Sequence, residues 1–197
     1  MKVFFLALIF SLSSFTAAKT VLVMGDSLTE GYRLAKEEAY PYLMELELKK
    51  KYPDVKIING GISGSTSASA VRRLDWYLKA KPEIMILALG ANDGLRGLKV
   101  EETSKNLEAV ILKAKSSGIR VIVSGMKMPP NYGKEYSEKF NQIFPRLAKK
   151  HELKLIPFIL ENVAGIPALN LPDGIHPNPE GHKVMAKNVM KFLEAEL

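Results

Sequence analysis

Short apolar runs alternate along the chain with segments in which apolar residues recur at helical spacing. Five of these runs are rich in β-branched residues and contain few polar positions. Such unbroken runs are typical of strands buried on both faces of a parallel sheet. The predicted strands are Thr20–Met24, Val55–Ile58, Ile84–Leu89, Ile119–Val123 and Leu153–Ile156.

Helix candidates follow these runs. In the clearest one, Leu107, Val110, Ile111 and Ala114 recur at the spacing of one helix face, and Gly118 is placed to end it. The other candidates are Tyr40–Leu48, Val71–Leu78, Tyr136–Lys150 with Pro145 inside it, and a last helix capped by Asn178 with Pro179 as its first residue. Repeated β-then-α units predict an α/β fold in three layers, with right-handed crossovers around a parallel sheet.

Composition narrows the function classes. The 197 residues suit one domain, and 47% apolar with 25% charged residues allow a hydrophobic core. The formal charge is +7, but the lysines are spread over helix-like segments without interleaved aromatics. This favours solvated helix faces over a nucleic-acid partner and leaves open a weak contact with a membrane surface. The absence of cysteine excludes disulfides, thiolate metal sites and a cysteine nucleophile.

The first eighteen residues form a separate segment. Lys2 precedes a nearly unbroken apolar run, Val3–Phe10, and small residues, Thr16–Ala18, offer a cleavage site before Lys19. This layout predicts a signal peptide over residues 1–18, a single folded domain over 19–197, and a periplasmic or secreted protein. An uncleaved membrane anchor is the alternative interpretation.

Polar and glycine residues follow the predicted strands at their carboxyl ends, where sites form in open parallel sheets. Ser27 follows the first strand, Gly61 the second and Asn92 the third. Asp173 and His176 lie on the long connection after the fifth strand. We therefore expect these five residues to meet at one edge of the sheet.

These residue types are those that acyl transfer needs. A serine hydroxyl requires a base within hydrogen-bond reach, so Ser27 is the candidate nucleophile and His176 the candidate base. Asp173, three residues earlier, can orient the imidazole and stabilise its charged form. The backbone N–H groups of Ser27 and Gly61 and the side-chain amide of Asn92 are candidate donors to an oxyanion.

The four segments, in this order, resemble the GDSL or SGNH hydrolases, whose four letters fall here on Ser27, Gly61, Asn92 and His176. The stretches that resemble a bacterial branch of the family are Gly25–Arg33, Asn59–Thr66, Leu89–Gly97, Pro129–Gly133 and Asp173–Asn178. The resemblance covers nearly the whole chain after residue 18. It implies a flavodoxin-like α/β/α fold with five parallel strands. It also implies no metal or other cofactor, and esterase or thioesterase activity on small acyl esters, aryl esters, lysophospholipids and acyl thioesters. We expect a monomer.

Other interpretations of the same residues are open at this point. Within the same fold, the chain is alternatively a carbohydrate O-deacetylase or a non-catalytic binding protein. A metal site on Asp173, His176 and His182 is disfavoured, because no recognised ligand spacing is present. Ser65 is interpreted as a helix N-cap, Asp26 as a hydrogen-bond partner within its turn, and Asp93 as a structural residue that ties its loop to a neighbouring segment. One group of apolar residues forms either an acyl-binding wall or core beneath a loop: Ile159, Leu160, Val163, Ile166, Leu169 and Leu171.

Overall fold

The computed structural model describes residues 19–197, and its centre is a five-stranded parallel sheet in the order β2-β1-β3-β4-β5. The predicted signal peptide lies outside the described residues. The strands are β1 (Thr20–Gly25), β2 (Lys56–Gly61), β3 (Ile84–Ala88), β4 (Arg120–Ser124) and β5 (Lys154–Ile156). The predicted α/β class and parallel sheet are confirmed.

The α-helices connect these strands. They are α1 (Ser27–Glu30), α2 (Tyr40–Leu48), α3 (Ala70–Tyr77), α4 (Ala91–Leu95), α5 (Val100–Ser116), α6 (Lys134–Asn141), α7 (Ile143–His151) and α8 (Pro179–Leu193). Helix α2 packs against α8, whereas α5 packs against α3 and α7. These two groups of helices lie on opposite faces of the sheet. The reason is that all crossovers are right-handed, while the strand order proceeds toward one edge from β1 to β2 and toward the other edge from β1 through β3 to β5.

Burial explains why the strands read as unbroken apolar runs. Val21–Met24 are fully buried, as are Ile84–Ile86, because helices cover both faces of the central strands. The core continues into the helices through residues such as Leu107 and Val110 of α5. Among residues 19–197, no helix has both the length and the apolar character that a membrane span requires.

Three local predictions differ from the structure. The second strand extends to Gly61, because Gly60 and Gly61 pair with the end of β1. The predicted Tyr136–Lys150 helix is two helices, and Pro145 lies in the first turn of α7, where its missing N–H leaves no helical bond unmade. Ser65 is not a helix cap, since α3 begins only at Ala70. The predicted start of α8 is confirmed: Asn178 caps it and Pro179 is its first residue.

Strand order also fixes where a site forms. β1 lies between β2 and β3, so the chain leaves β1 toward one side of the sheet and later returns to form β3 on the other side. The connections diverge at this point and leave a crevice beyond the carboxyl ends of β1 and β3. Ser27 directly follows β1, and Asn92 follows β3.

Candidate active site

The candidate nucleophile is held at the start of a short helix. Ser27 is the first residue of α1, and Asp26 caps that helix by accepting the Leu28 N–H at 3.1 Å. At this first position, the backbone N–H of Ser27 has no acceptor among residues 19–197. Both the hydroxyl and the N–H of Ser27 are therefore available beyond the end of β1.

Three predicted residues form one hydrogen-bonded chain. His176 Nε2 lies 3.0 Å from Ser27 Oγ, and His176 Nδ1 lies 2.9 Å from Asp173 Oδ2. With Asp173 ionised, Nδ1 carries the imidazole proton and Nε2 accepts from the serine hydroxyl. This is the arrangement in which a histidine takes a proton from a serine.

Hydrogen bonds within its own loop keep the Asp173 carboxyl ionised. Partial burial raises the pKa of this carboxyl. The backbone N–H of His176, its imidazole and the backbone N–H of Ile175 outweigh that effect and hold the pKa at about 2. Both backbone N–H groups donate to Oδ1 at 3.0 Å, which leaves Oδ2 for the imidazole. Asp173 is therefore a carboxylate across the neutral pH range.

The loop that carries Asp173 and His176 is pinned at its base. Asn170 donates its side-chain amide to the carbonyls of Val163 and Ile166 at 2.8 Å, and its backbone pairs with Pro177. Asn178 donates to the carbonyl of Ala168 at 2.9 Å. Sequence analysis did not single out Asn170, because loop asparagines are common and their partners depend on how the loop folds.

Asn92 is anchored by one of its two amide hydrogens. Its Nδ2 donates to the Ser65 carbonyl at 3.1 Å, and the second hydrogen has no acceptor among the described residues. The neighbouring Asp93 is buried and accepts from Ser67 Oγ at 2.5 Å and from the Ser67 N–H at 2.9 Å, so it ties α4 to the segment after β2 as predicted. Asn92 lines the same cavity as Ser27. Its free amide hydrogen is thus a donor at the predicted place.

The structure does not support Gly61 as an oxyanion donor. Its N–H already donates to Oδ1 of Asn59 at 2.9 Å. A β-carbon at Gly61 would lie 2.1 Å from the backbone nitrogen of Glu30, so glycine is needed here for close packing of β2 against α1. Gly61 is therefore required for the packing of β2 against α1.

Gly64, three residues later, is the better candidate for this donor. Its N–H has no acceptor among residues 19–197, and its carbonyl accepts from Arg96 Nη2 at 2.9 Å. The next residue, Ser65, accepts from the Asn92 amide. The turn that contains Gly64 is thereby held beside Asn92.

Two buried ionisable residues, Asp26 and Arg73, lie near the nucleophile. Burial raises the pKa of Asp26 to about 6, although the Leu28 N–H and the nearby charges of His176 and Arg73 lower it in part. Arg73 is buried on α3 and donates to the carbonyls of Gly25, at 2.8 Å, and Gly60, so it joins the ends of β1 and β2. The sequence pattern did not predict a role for Arg73. The available signal was an arginine three residues after Ala70 and one before Leu74, on the apolar face of the helix.

An apolar cavity of about 460 Å³ opens beside Ser27. This volume lies within the usual range for small-molecule sites. Of the residues left open by sequence analysis, Leu160 lines the cavity, whereas Ile159 and Val163 are buried in the core. The other lining residues are Leu28, Ala91, Asn92, Leu95, Met126, Lys127, Met128, Pro129, Phe158, Ala164, Gly165, Asn170, Gly174, Ile175 and His176.

The structure gives His182 a role in the fold. His182 Nδ1 accepts the Tyr40 N–H at 3.1 Å, so this lone pair is not available to a metal. Burial lowers the pKa of His182 to about 4, with a smaller contribution from the charge of His176. Within residues 19–197, no group of three histidine, aspartate or glutamate side chains is arranged to hold a metal ion.

Comparison with known proteins gives matches over most of the chain. Residues 23–184 match the GDSL-like Lipase/Acylhydrolase family. An arylesterase of Vibrio mimicus is 40% identical over 98% of this chain and 97% of its own length. The Escherichia coli K12 protein named thioesterase 1/protease 1/lysophospholipase L1 is 36% identical over 90% of this chain and 85% of its own. A crystal structure of TesA superposes with a TM-score of 0.87 at 34% identity, covering 91% of this chain and all of that one.

Proposed function

This chain belongs to the GDSL-like lipase/acylhydrolase family, and we propose that it is a serine esterase and thioesterase that works through an acyl-enzyme on Ser27. The observation that carries the proposal is the chain of contacts from Asp173 through His176 to Ser27 Oγ, at 2.9 and 3.0 Å, on the wall of an apolar cavity. Relatives named as an arylesterase and as a thioesterase and lysophospholipase support it.

Acylation begins with proton transfer. His176 Nε2 takes the hydroxyl proton as Ser27 Oγ attacks the substrate carbonyl, and Asp173 stabilises the imidazolium that forms. The negative oxygen of the tetrahedral intermediate is bound by the Ser27 N–H, the free amide hydrogen of Asn92 and the N–H of Gly64. His176 then protonates the leaving alcohol or thiol, and the acyl group remains on Ser27.

In deacylation, water takes the place of Ser27 as the nucleophile. Water enters the site vacated by the leaving group, and His176 removes a proton from it as it attacks the acyl-enzyme. Collapse of the second tetrahedral intermediate releases the carboxylic acid and returns the proton to Ser27. Apart from this water, side chains and backbone N–H groups of the chain supply every group in the proposed cycle.

The cavity indicates the substrate class. Its walls carry leucine, methionine and phenylalanine side chains, which suit the hydrocarbon chain of an acyl ester, aryl ester, lysophospholipid or acyl thioester. The carbohydrate O-deacetylase alternative is not favoured, because an acetyl group would leave most of this apolar wall without a partner. The non-catalytic alternative is not favoured because the matched relatives are named as enzymes.

Hydrolysis of p-nitrophenyl butyrate by the wild type and by Ser27→Ala tests the proposal. The wild type should turn over and should gain the mass of one phosphonyl group from an alkyl fluorophosphonate, whereas Ser27→Ala should do neither. Ser117→Ala, which changes an exposed serine at the end of α5, serves as the matched control and should behave as the wild type. Near-native turnover by Ser27→Ala would refute the role given to Ser27.

Three further points concern the surroundings of the enzyme. We propose that residues 1–18 are a signal peptide and that the domain over residues 19–197 acts in the periplasm or outside the cell as a monomer. We also propose a weak contact with membrane surfaces. It is supported by Leu95 and Ile175, which are partly exposed on the wall of the cavity that Lys127 also lines.

N-terminal sequencing of the cell-fractionated protein tests the signal peptide: a start at Lys19 supports it, and a start at Met1 in the membrane fraction contradicts it.

A further inference from the structure

The imidazole of His176 has a third contact besides Asp173 and Ser27. The ring of Tyr32 lies with its centroid 4.4 Å from the imidazole centroid, and the two planes are tilted by 35°. Tyr32 makes no hydrogen bond to His176. The contact is therefore one between an aromatic ring and the candidate base, and the hydrogen-bonded chain described above does not include it.

The Tyr32 ring is fixed relative to the nucleophile. Gly31 ends α1 in the left-handed conformation, with φ 86°, and the Tyr32 N–H donates to the Ser27 carbonyl at 3.1 Å. Arg33 is also left-handed, with φ 61°, which is uncommon for a residue with a β-carbon. Its guanidinium carbon lies 5.1 Å from the centroid of the Tyr32 ring. The backbone around Tyr32 is thus folded back on the residue that carries the nucleophile.

A contact from outside its own loop is needed to fix the position of the His176 imidazole relative to Ser27. Asp173 lies on the same loop, so its hydrogen bond fixes the tautomer of the imidazole but not the distance from the loop to Ser27. Tyr32 belongs to the other side of the site and contacts the ring directly. It is therefore placed to hold the imidazole against the nucleophile.

We propose that Tyr32 is a positioning residue for His176, and that its ring both orients the imidazole toward Ser27 and stabilises the imidazolium formed in each proton transfer. The negative face of an aromatic ring attracts a cation, and this attraction is strongest where water is excluded. This inference rests on the catalytic roles proposed for Ser27 and His176.

The charged and titratable groups around the imidazole determine how a test must be designed. Asp173 accepts a hydrogen bond from Nδ1, the Asp26 carboxyl and the His182 imidazole lie close enough to interact electrostatically with the ring, and the Arg33 guanidinium lies by Tyr32. Substitution of Tyr32 alone leaves Asp173, Asp26 and His182 unchanged and removes the ring that Arg33 contacts. Loss of the ring removes a contact that stabilises the imidazolium, so the acid limb of the pH–rate profile should move to lower pH.

The experiment measures kcat, KM and the pH dependence of kcat/KM for p-nitrophenyl butyrate in Tyr32→Leu and Tyr32→Phe. Tyr32→Leu should lose roughly 3- to 30-fold in kcat with little change in KM, and its acid limb should move down by roughly 0.5 to 1.5 pH units. Tyr32→Phe keeps the ring and should lie within about 3-fold of the wild type. Tyr42→Leu, an exposed tyrosine of α2, is the matched control and should change neither quantity.

Pentafluorophenylalanine at position 32 separates the electrostatic effect from packing, since it keeps the shape of the ring but reverses the charge on its face. It should move the acid limb in the same direction as Tyr32→Leu, and it remains informative if Tyr32→Leu fails to fold. An unchanged kcat and acid limb in both ring-altered proteins would overturn the proposal, as would a loss in Tyr32→Phe equal to that in Tyr32→Leu. An inactive wild type, or an active Ser27→Ala, would instead refute the proposed function itself.

Discussion

Lengthening the acyl chain of an ester substrate should raise kcat/KM, because the cavity beside Ser27 is lined mainly by apolar side chains. The perturbation is the change from a p-nitrophenyl butyrate to a p-nitrophenyl octanoate, which adds four methylenes to the acyl group and leaves the leaving group unchanged. We expect these methylenes to extend from the carbonyl at Ser27 along the part of the cavity wall that Leu160 and Ala164 line.

The magnitude follows from the transfer of hydrocarbon out of water. A fully buried methylene contributes about 0.8 kcal/mol, and about 1.36 kcal/mol corresponds to a tenfold change in rate constant. Four methylenes would therefore raise kcat/KM by about 200-fold if they were fully buried. The cavity is open on one side, so half of this free energy, or about 15-fold, is the lower expectation.

The assay is release of p-nitrophenol at ester concentrations below micelle formation, for the butyrate, hexanoate and octanoate in parallel. Ala164→Asp puts a carboxylate on an exposed part of the cavity wall, so it should lower kcat/KM for the octanoate by about tenfold and for the butyrate by less than about threefold. Ala168→Asp, an exposed change on the same loop that does not line the cavity, is the control. Equal rates for the butyrate and the octanoate would refute the assignment of this cavity to the acyl chain.

Three other substitutions test the site and its support. Asn92→Ala should lower kcat about 100- to 1000-fold with KM within about threefold, and a loss below tenfold would exclude its amide as an oxyanion donor. Gly61→Ala should lower the free energy of unfolding by about 1 to 3 kcal/mol through its clash with Glu30, seen as a lower Tm, and an unchanged Tm would contradict the packing role. The pKa of His182 falls from its ordinary 6.5 to about 4 on folding, so the unfolded chain binds more protons between these values and stability is lost as the pH falls through them. His182→Gln keeps an acceptor for the Tyr40 N–H but cannot be protonated in this pH range. In urea unfolding, its free energy of unfolding should fall by about 3 kcal/mol less between pH 7 and pH 4 than that of the wild type. Equal falls in the two proteins would contradict the pKa assigned to His182.

The sequence by itself determined the architecture. Strands buried on both faces appear as unbroken apolar runs, and Val21–Met24 and Ile84–Ile86 are such runs, so the number of strands and the parallel sheet followed from the pattern. The start of α8, with Asn178 as its cap and Pro179 as its first residue, was also predictable, because helix ends depend on local backbone chemistry. The ends of other elements were harder to predict: β2 extends to Gly61 only because β1 lies beside it.

The sequence also predicted Ser27, Asn92, Asp173 and His176 as site residues, because each follows a strand or lies in the long last connection, and parallel strands bring these positions to one edge. For the third oxyanion donor the sequence predicted Gly61, whereas hydrogen bonding in the structure favours Gly64, and these two glycines look alike in a sequence. Which N–H is free depends on whether a neighbour such as Asn59 has already accepted it.

Only the tertiary structure decided the contacts between side chains from distant parts of the chain. Arg73 joins the ends of two strands, and Tyr32 faces an imidazole that is 144 positions further along the sequence. The physical reason is range: apolar periodicity and capping act over a few residues and leave a trace in the sequence. Hydrogen-bond competition, ring stacking and burial of a charge depend instead on which atoms the folded chain brings within a few ångströms of one another.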